Sequence, residues 1–167
     1  TWRSRPVSGG TAPFSEPEAV AIRDYVLAIN PVAGVVWHSR ANNVYGSECG
    51  GEVSSDTLAL MNAYADAGDY GKVPIFDVYV VTGAIEDWMA GLGIASVSVE
   101  LETRTSSEFE RNLAGVKATL ELYQEKKKKT HKDPCGFLFS KFPNINFSHA
   151  PMFSAILEHC FPAGAQN

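Results

Sequence analysis

Long apolar runs are missing from this 167-residue chain, in which no stretch approaches the roughly 20 residues that a bilayer-spanning helix needs. Cysteine is scarce: Cys49, Cys135 and Cys160 are widely spaced and odd in number, which suits neither a disulfide framework nor a zinc ribbon. Positive charge is in deficit. Fourteen Lys and Arg against 19 Asp and Glu leave a formal net charge of −5, so nothing electrostatic recommends a nucleic acid or an anionic membrane as partner. The one basic block, Lys126 to Lys129, is short and reads as a solvated helix end or a linker. The chain starts at Thr1 without Met and without a charged-then-apolar leader, as expected of a processed chain or an incomplete gene product. Internal repeats are absent as well.

What is present is globular in character. With 45% hydrophobic and 20% charged residues, the chain can bury one domain-sized core and is too short for two ordinary domains. Residues 1 to 12, rich in Gly, Ser, Thr and Pro, read as a loop. Ser15-Glu16-Pro17-Glu18 reads as a capping box, with Ser15 bonding the Glu18 backbone N–H and Pro17 in the first turn. Val20, Ile22, Val26, Leu27 and Ile29 then predict an amphipathic helix that Asn30-Pro31 ends. Val32 to Trp37 is a β-branched run of the kind found in buried central strands. Ser54 to Ala67 predicts a helix closed by Gly68 and Gly71. Val73 to Val81 reads as a strand, Ala84 to Leu92 as a short helix and Ala95 to Leu101 as a third buried strand. Ser106 to Gln124 predicts the longest helix, with Phe109, Leu113, Val116, Leu120 and Tyr123 along one face. Residues 126 to 167 show no clear period, although Met152 to His159 could form a short helix.

Strands alternating with helices predict an α/β architecture with a largely parallel sheet, in which functional groups gather at the carboxyl ends of strands. His38 and Glu100 fall at such ends. On residue type alone, His38 is a hydrogen-bonded core imidazole more often than a ligand. A carboxylate closing a buried strand, as Glu100 does, is either emerging into solvent or functional.

Pro13-Phe14-Ser15-Glu16-Pro17-Glu18, Trp37-His38-Ser39, Glu86-Asp87-Trp88 and Val99-Glu100-Leu101 occur in an order that resembles the C-terminal half of the catalytic domain of the zinc metallocarboxypeptidases, the carboxypeptidase A/B family. The resemblance covers residues 1 to 125, leaves 126 to 167 as an extension of unknown structure, and implies a partial three-layer α/β/α domain with a mostly parallel mixed sheet. It implies zinc, with His38 as the third protein ligand of a His, Glu, His set that leaves one position for water. By the same match Ser39 lines the substrate cleft, although Arg40 stands where the family often has Tyr. Glu100 becomes the general base, taking a proton from the attacking water and delivering protons to the leaving amine. Tyr79, spaced from Gly83 and Trp88 like the family's mobile-loop tyrosine, resembles a lid over the substrate; as a plain residue it is a strand tyrosine. Glu86, just ahead of Asp-Trp, looks onto the floor of the pocket for the C-terminal side chain, where an acidic residue goes with Lys or Arg. Read without the family, it is a charge on a surface helix.

The family's opening His-x-x-Glu and its Asn-Arg pair for the substrate carboxylate occur nowhere in the chain. A lone imidazole cannot hold catalytic zinc, and His131, His149 and His159 look like incidental residues of the tail. The chain is therefore expected to be inactive alone and to need a missing N-terminal half of the same domain. Peptide is the implied substrate, and a secreted or periplasmic setting is the location the resemblance suggests. Two other readings stand beside the carboxypeptidase: a cell-wall peptide amidase or N-acyl amino acid deacylase on the same scaffold, and a truncated module without catalysis.

Overall fold

A computed structural model describes residues 10–132, and everything below concerns those residues. Four helices and four strands follow in the order α1 (Pro17–Ile29), β1 (Ala33–Ser39), β2 (Asn43–Gly46), α2 (Ser55–Gly68), β3 (Gly71–Val73), α3 (Ile85–Gly91), β4 (Ala95–Leu101) and α4 (Phe109–Lys132). The sheet order is β1-β4-β2-β3, with β1 parallel to β4, β2 parallel to β3, and β4 antiparallel to β2. This is the expected α/β fold with a mixed, mostly parallel sheet.

Period-two alternation along β1 and β4 divides the side chains between two layers. On one face Val35, Val97, Val99 and Val44 of the sheet pack with Leu60, Met61, Tyr64 and Ala65 of α2 and with Val116 and Tyr123 of α4. On the other, Val36 meets Val26 of α1 and Trp88 and Met89 of α3. Polar residues lock the first layer at the end of β1. Trp37 Nε1 donates to Tyr64 Oη at 2.9 Å, and Tyr64 Oη donates to Asn112 Oδ1 at 2.8 Å. Tyr70 Oη donates to Glu108 at 2.8 Å, and the Arg111 guanidinium lies 3.8 Å above the Tyr70 ring while its Nε donates to the Gly68 carbonyl.

Several expected elements differ in detail, each for a local reason. The capping box does not form at α1. Glu16, not Ser15, is the N-cap, with extended backbone and no side-chain bond, because the Ser15 hydroxyl accepts from Thr11 N–H and donates to the Glu16 carboxylate. Ser54 does cap α2, accepting from Thr57 N–H at 3.0 Å, whereas the turn out of that helix uses Asp69 in the left-handed region (φ 55°). The strand expected over Val73 to Val81 stops at Val73. Pro74 has no N–H to offer a ladder, and Val78, Tyr79 and Val80 beyond it are exposed. β2 had no signal of its own: four residues are too few to show alternation.

α4 starts at Phe109 and runs to Lys132, so it crosses the 125/126 boundary and takes in the basic block. Phe109 and Leu120 lie outward, 65% and 57% exposed. The buried line instead passes through Gly115, whose lack of a side chain admits the Tyr64 ring. Cys49 is disulfide-bonded, a bridge that its scattered, odd-numbered set did not suggest. Residues 133–167, including the helix expected over Met152 to His159, lie outside the described residues.

Candidate active-site cleft

The register of β1 on β4 pairs His38 with Glu100, and β2 on β4 pairs Tyr45 with Ser98. Residues paired in register share a face, so His38, Glu100, Ser98 and Tyr45 all point away from the α2/α4 core. They form the floor of a cleft of ≈ 820 Å³, within the usual range for ligand sites. The open segment 74–84 makes one wall and the first turn of α3 the other, so Tyr79 and Glu86 line the same cleft as His38 and Glu100. Four of the five residues singled out from the sequence are thus brought together.

Ser39 is the fifth, exposed at the end of β1. It pairs with Leu101, whose side chain packs on the α2/α4 core, and it is not among the cleft-lining residues. One step along a strand reverses the face, so a His and the Ser after it cannot both point into one side of a sheet. The Ser39–Arg40 peptide that follows is cis.

Each remaining residue is held by a nameable contact. Tyr79 packs edge-on against Phe76 (4.7 Å between ring centroids), and Phe76 does the same against Tyr45 of β2 (5.4 Å). The exposed segment is therefore moored to the sheet by a short aromatic stack. The Glu86 carbonyl accepts from Ser96 Oγ at 2.9 Å, which ties the start of α3 to β4. Next to it Asp87 Oδ1 accepts from the Glu48 backbone N–H at 3.0 Å. Burial pushes the Asp87 carboxyl up to about 6; the Glu48 N–H opposes that rise, and the charges of Glu86 and Glu48 add to it.

Glu100 carries an orphaned oxygen. Its Oε2 is buried with no hydrogen-bond partner among the described residues. Burial raises its pKa, the His38 and Arg104 charges pull it back, and Glu86 raises it further. A carboxylate poised this way holds a proton to higher pH than an exposed one.

The lining carries five carboxylates, Glu48, Asp77, Glu86, Asp87 and Glu100, and one imidazole, His38. Glu48 and Asp77 escaped the sequence reading because they lie in loops without period or motif. Asp87 was in plain view beside Glu86, but nothing in a sequence marks a carboxylate that will be buried against a loop N–H. Among the described residues no group of three or more His, Cys, Asp or Glu could hold a metal ion. One imidazole beside one carboxylate does not fit a catalytic zinc, which takes three protein ligands.

The α/β layers and the mixed four-stranded sheet are consistent with part of a zinc carboxypeptidase-like fold. Among solved structures the chain is similar to murein-tripeptide amidase MpaA from Escherichia coli O157, with a TM-score of 0.50 and 21% identity. The match covers 72% of this chain and 49% of that one, so this chain spans about half the length of that structure. At this identity the likeness is one of fold, and it does not single out the carboxypeptidase A/B branch suggested by the motifs. No protein-family model and no curated protein matches the chain.

Proposed function

We propose that the chain carries the general-base half of a zinc-dependent peptide hydrolase site, one that removes C-terminal residues and prefers basic ones. The observation carrying this is the juxtaposition of His38 and Glu100, paired in register on the floor of one cleft. Glu100, with its raised pKa and unpartnered oxygen, takes the proton of the attacking water and returns it to the leaving amine. Tyr79 closes the rim of the cleft over the bound peptide. Glu86, with Glu48 and Asp77 on the same lining, gives the pocket a negative potential that favours a Lys or Arg side chain through charge-assisted pairing. Zinc supplies Lewis acidity in such enzymes; here His38 is one candidate ligand, and the other ligands come from polypeptide outside the described residues. No step is assigned to the metal on these residues alone.

The carboxypeptidase reading is preferred over the amidase and deacylase readings because the acidic lining suits a cationic side chain. One experiment separates them. The full chain, combined with the polypeptide encoded upstream of Thr1, is given peptides ending in Lys and in Phe, and a murein tripeptide. The expected result is chelator-sensitive release of Lys at least 10-fold faster than Phe. Glu86→Gln should shrink that preference roughly 10-fold, while Glu100→Gln lowers kcat by about 10²–10⁴ with KM little changed. Cleavage of the murein tripeptide alone would favour the amidase. A folded assembly that cleaves none of the three would support a non-catalytic module.

A further inference from the structure

The first turn of α3 carries two adjacent carboxylates, Glu86 and Asp87, and both border the cleft. Consecutive helical residues point about 100° apart, so the two meet different surroundings. Asp87 turns toward the loop after β2, where its Oδ1 accepts from the Glu48 N–H at 3.0 Å. Its other oxygen has no partner among the described residues and is not sealed off. The loop itself is firmly held. Ser47 is 1% exposed, and its N–H and hydroxyl both donate to the Ser96 carbonyl, at 3.2 and 2.7 Å. Ser96 Oγ in turn donates to the Glu86 carbonyl, so the loop, β4 and α3 form one unit around Asp87.

The floor of the cleft offers a second unused group. Ser98 is 8% exposed and borders the cleft, and its hydroxyl has no hydrogen-bond partner among the described residues. A hydroxyl buried that far and left unpaired costs stability unless a ligand completes it. Charge points to the kind of ligand. Burial is the largest force against the Asp87 carboxylate, and the charges of Glu86 and Glu48 add to it. A cation entering the cleft relieves that crowding. Other titratable groups on the lining are Asp77 and Tyr79 of segment 74–84, Tyr45 of β2, His38 of β1 and Glu100 of β4, and none of them bears on the Asp87 charge. Arg104 acts on Glu100 instead, and Glu52, on the same loop as Glu48, borders a separate recess.

We infer that Asp87 is the specificity switch of the cleft: as a carboxylate it completes, with Glu86 and the Ser98 hydroxyl, a site for a cationic side chain, and as a carboxylic acid it leaves the cleft tolerant of neutral apolar ones. This deepens the proposed function and rests on it for the identity of the ligand. A bound cation favours the carboxylate, so affinity climbs as pH rises through about 6, where Asp87 titrates in the free chain, and levels off above. A cation that returned the carboxyl to its ordinary 3.8 would bind roughly 10-fold more weakly at pH 5 than at pH 7.5.

The test follows Nα-acetyl-lysine binding to the full 167-residue chain by NMR shift perturbation at pH 5 and pH 7.5, with Nα-acetyl-norleucine as the neutral isostere. The Kd of acetyl-lysine should fall at least 5-fold between the two, while that of acetyl-norleucine moves less than 2-fold. Asp87→Asn keeps an oxygen for the Glu48 N–H and should hold acetyl-lysine at its weak pH 5 affinity throughout. His38→Gln should retain the step, which separates it from repulsion by a protonated imidazole. Ser98→Ala should weaken acetyl-lysine binding at pH 7.5 several-fold. One readout needs no variant: the carboxyl ¹³C midpoint of Asp87 should drop on saturation with acetyl-lysine and stay in place with acetyl-norleucine. An Asp87 midpoint that acetyl-lysine leaves unmoved overturns the inference. So does a step that survives Asp87→Asn or vanishes in His38→Gln, and so does an absence of acetyl-lysine binding at both pH values. Gated binding without hydrolysis of any peptide would sink the proposed activity and leave the switch standing. Chelator-sensitive Lys release whose preference over Phe is the same at pH 5 and pH 7.5 would do the reverse.

Discussion

Asp87 ties the chemistry of the cleft to the stability of the fold. Its carboxyl titrates at about 6 in the folded chain against an ordinary 3.8, chiefly because it is buried and secondarily because Glu86 and Glu48 crowd it. The folded state therefore holds the proton more tightly than the unfolded state does. Stability falls as pH climbs from about 4 to about 6 and levels off above. Asp87→Asn retains an oxygen for the Glu48 N–H and removes the charge. It is expected to stabilise the chain at pH 7 by about 1–2 kcal/mol, allowing for the group's partial exposure, and to leave stability at pH 4 unchanged. Urea denaturation across that range checks this; equal stability of the two proteins at pH 7 would mean the carboxylate ionises there without cost. The same alternation of side chains explains what was legible at this scale. His38 and Glu100 could be seen because short motifs at strand ends carry them, whereas the same motif says nothing about which face Ser39 takes. Glu48 had no signal at all, since its importance arises from a bond to its backbone.

Between elements, one close fit is the crossing of α2 and α4. A Cβ added at Gly115 would stand 2.6 Å from Tyr64 Cε1, closer than packed carbon atoms come. The Tyr64 ring cannot swing aside freely, because its hydroxyl is held by Trp37 and Asn112. Gly115→Val is expected to cost about 2 kcal/mol through overpacking. Gly115→Ala should cost less, since a gain of roughly 1 kcal/mol in helix propensity offsets part of the clash. Chemical denaturation of both variants decides it, and a Val variant as stable as the parent would show that the helices slide apart at little cost. The periodicity over 106–124 pointed to a helix and placed Val116 and Tyr123 on its packed side, but it also counted Phe109 and Leu120, which are exposed, and missed the glycine and asparagine that the structure seats at the seam. Similarly, the apolar run over 73–81 had strand composition without strand pairing. Composition selects residues able to join a sheet, and a neighbour with free backbone groups decides whether they do.

At the scale of the whole molecule, the α/β class, the helices α1 to α4 and the strands β1 and β4 were legible because each is long enough to show a period. The sheet order was not, for pairing β2 between β4 and β3 depends on contacts distant in sequence. The same scale sets the expected response to metal. A ligand that binds only the folded state stabilises it by RT ln(1 + [L]/Kd), so a complete zinc site with nanomolar affinity would raise the midpoint of unfolding by many degrees at micromolar metal. Among the described residues His38 and Glu100 offer a single imidazole and a single carboxylate, with no group of three or more such donors around them. Equimolar zinc is therefore expected to shift the calorimetric Tm of the chain by less than about 1 °C. A gain of several degrees that His38→Ala abolished would instead show that this chain holds the metal by itself.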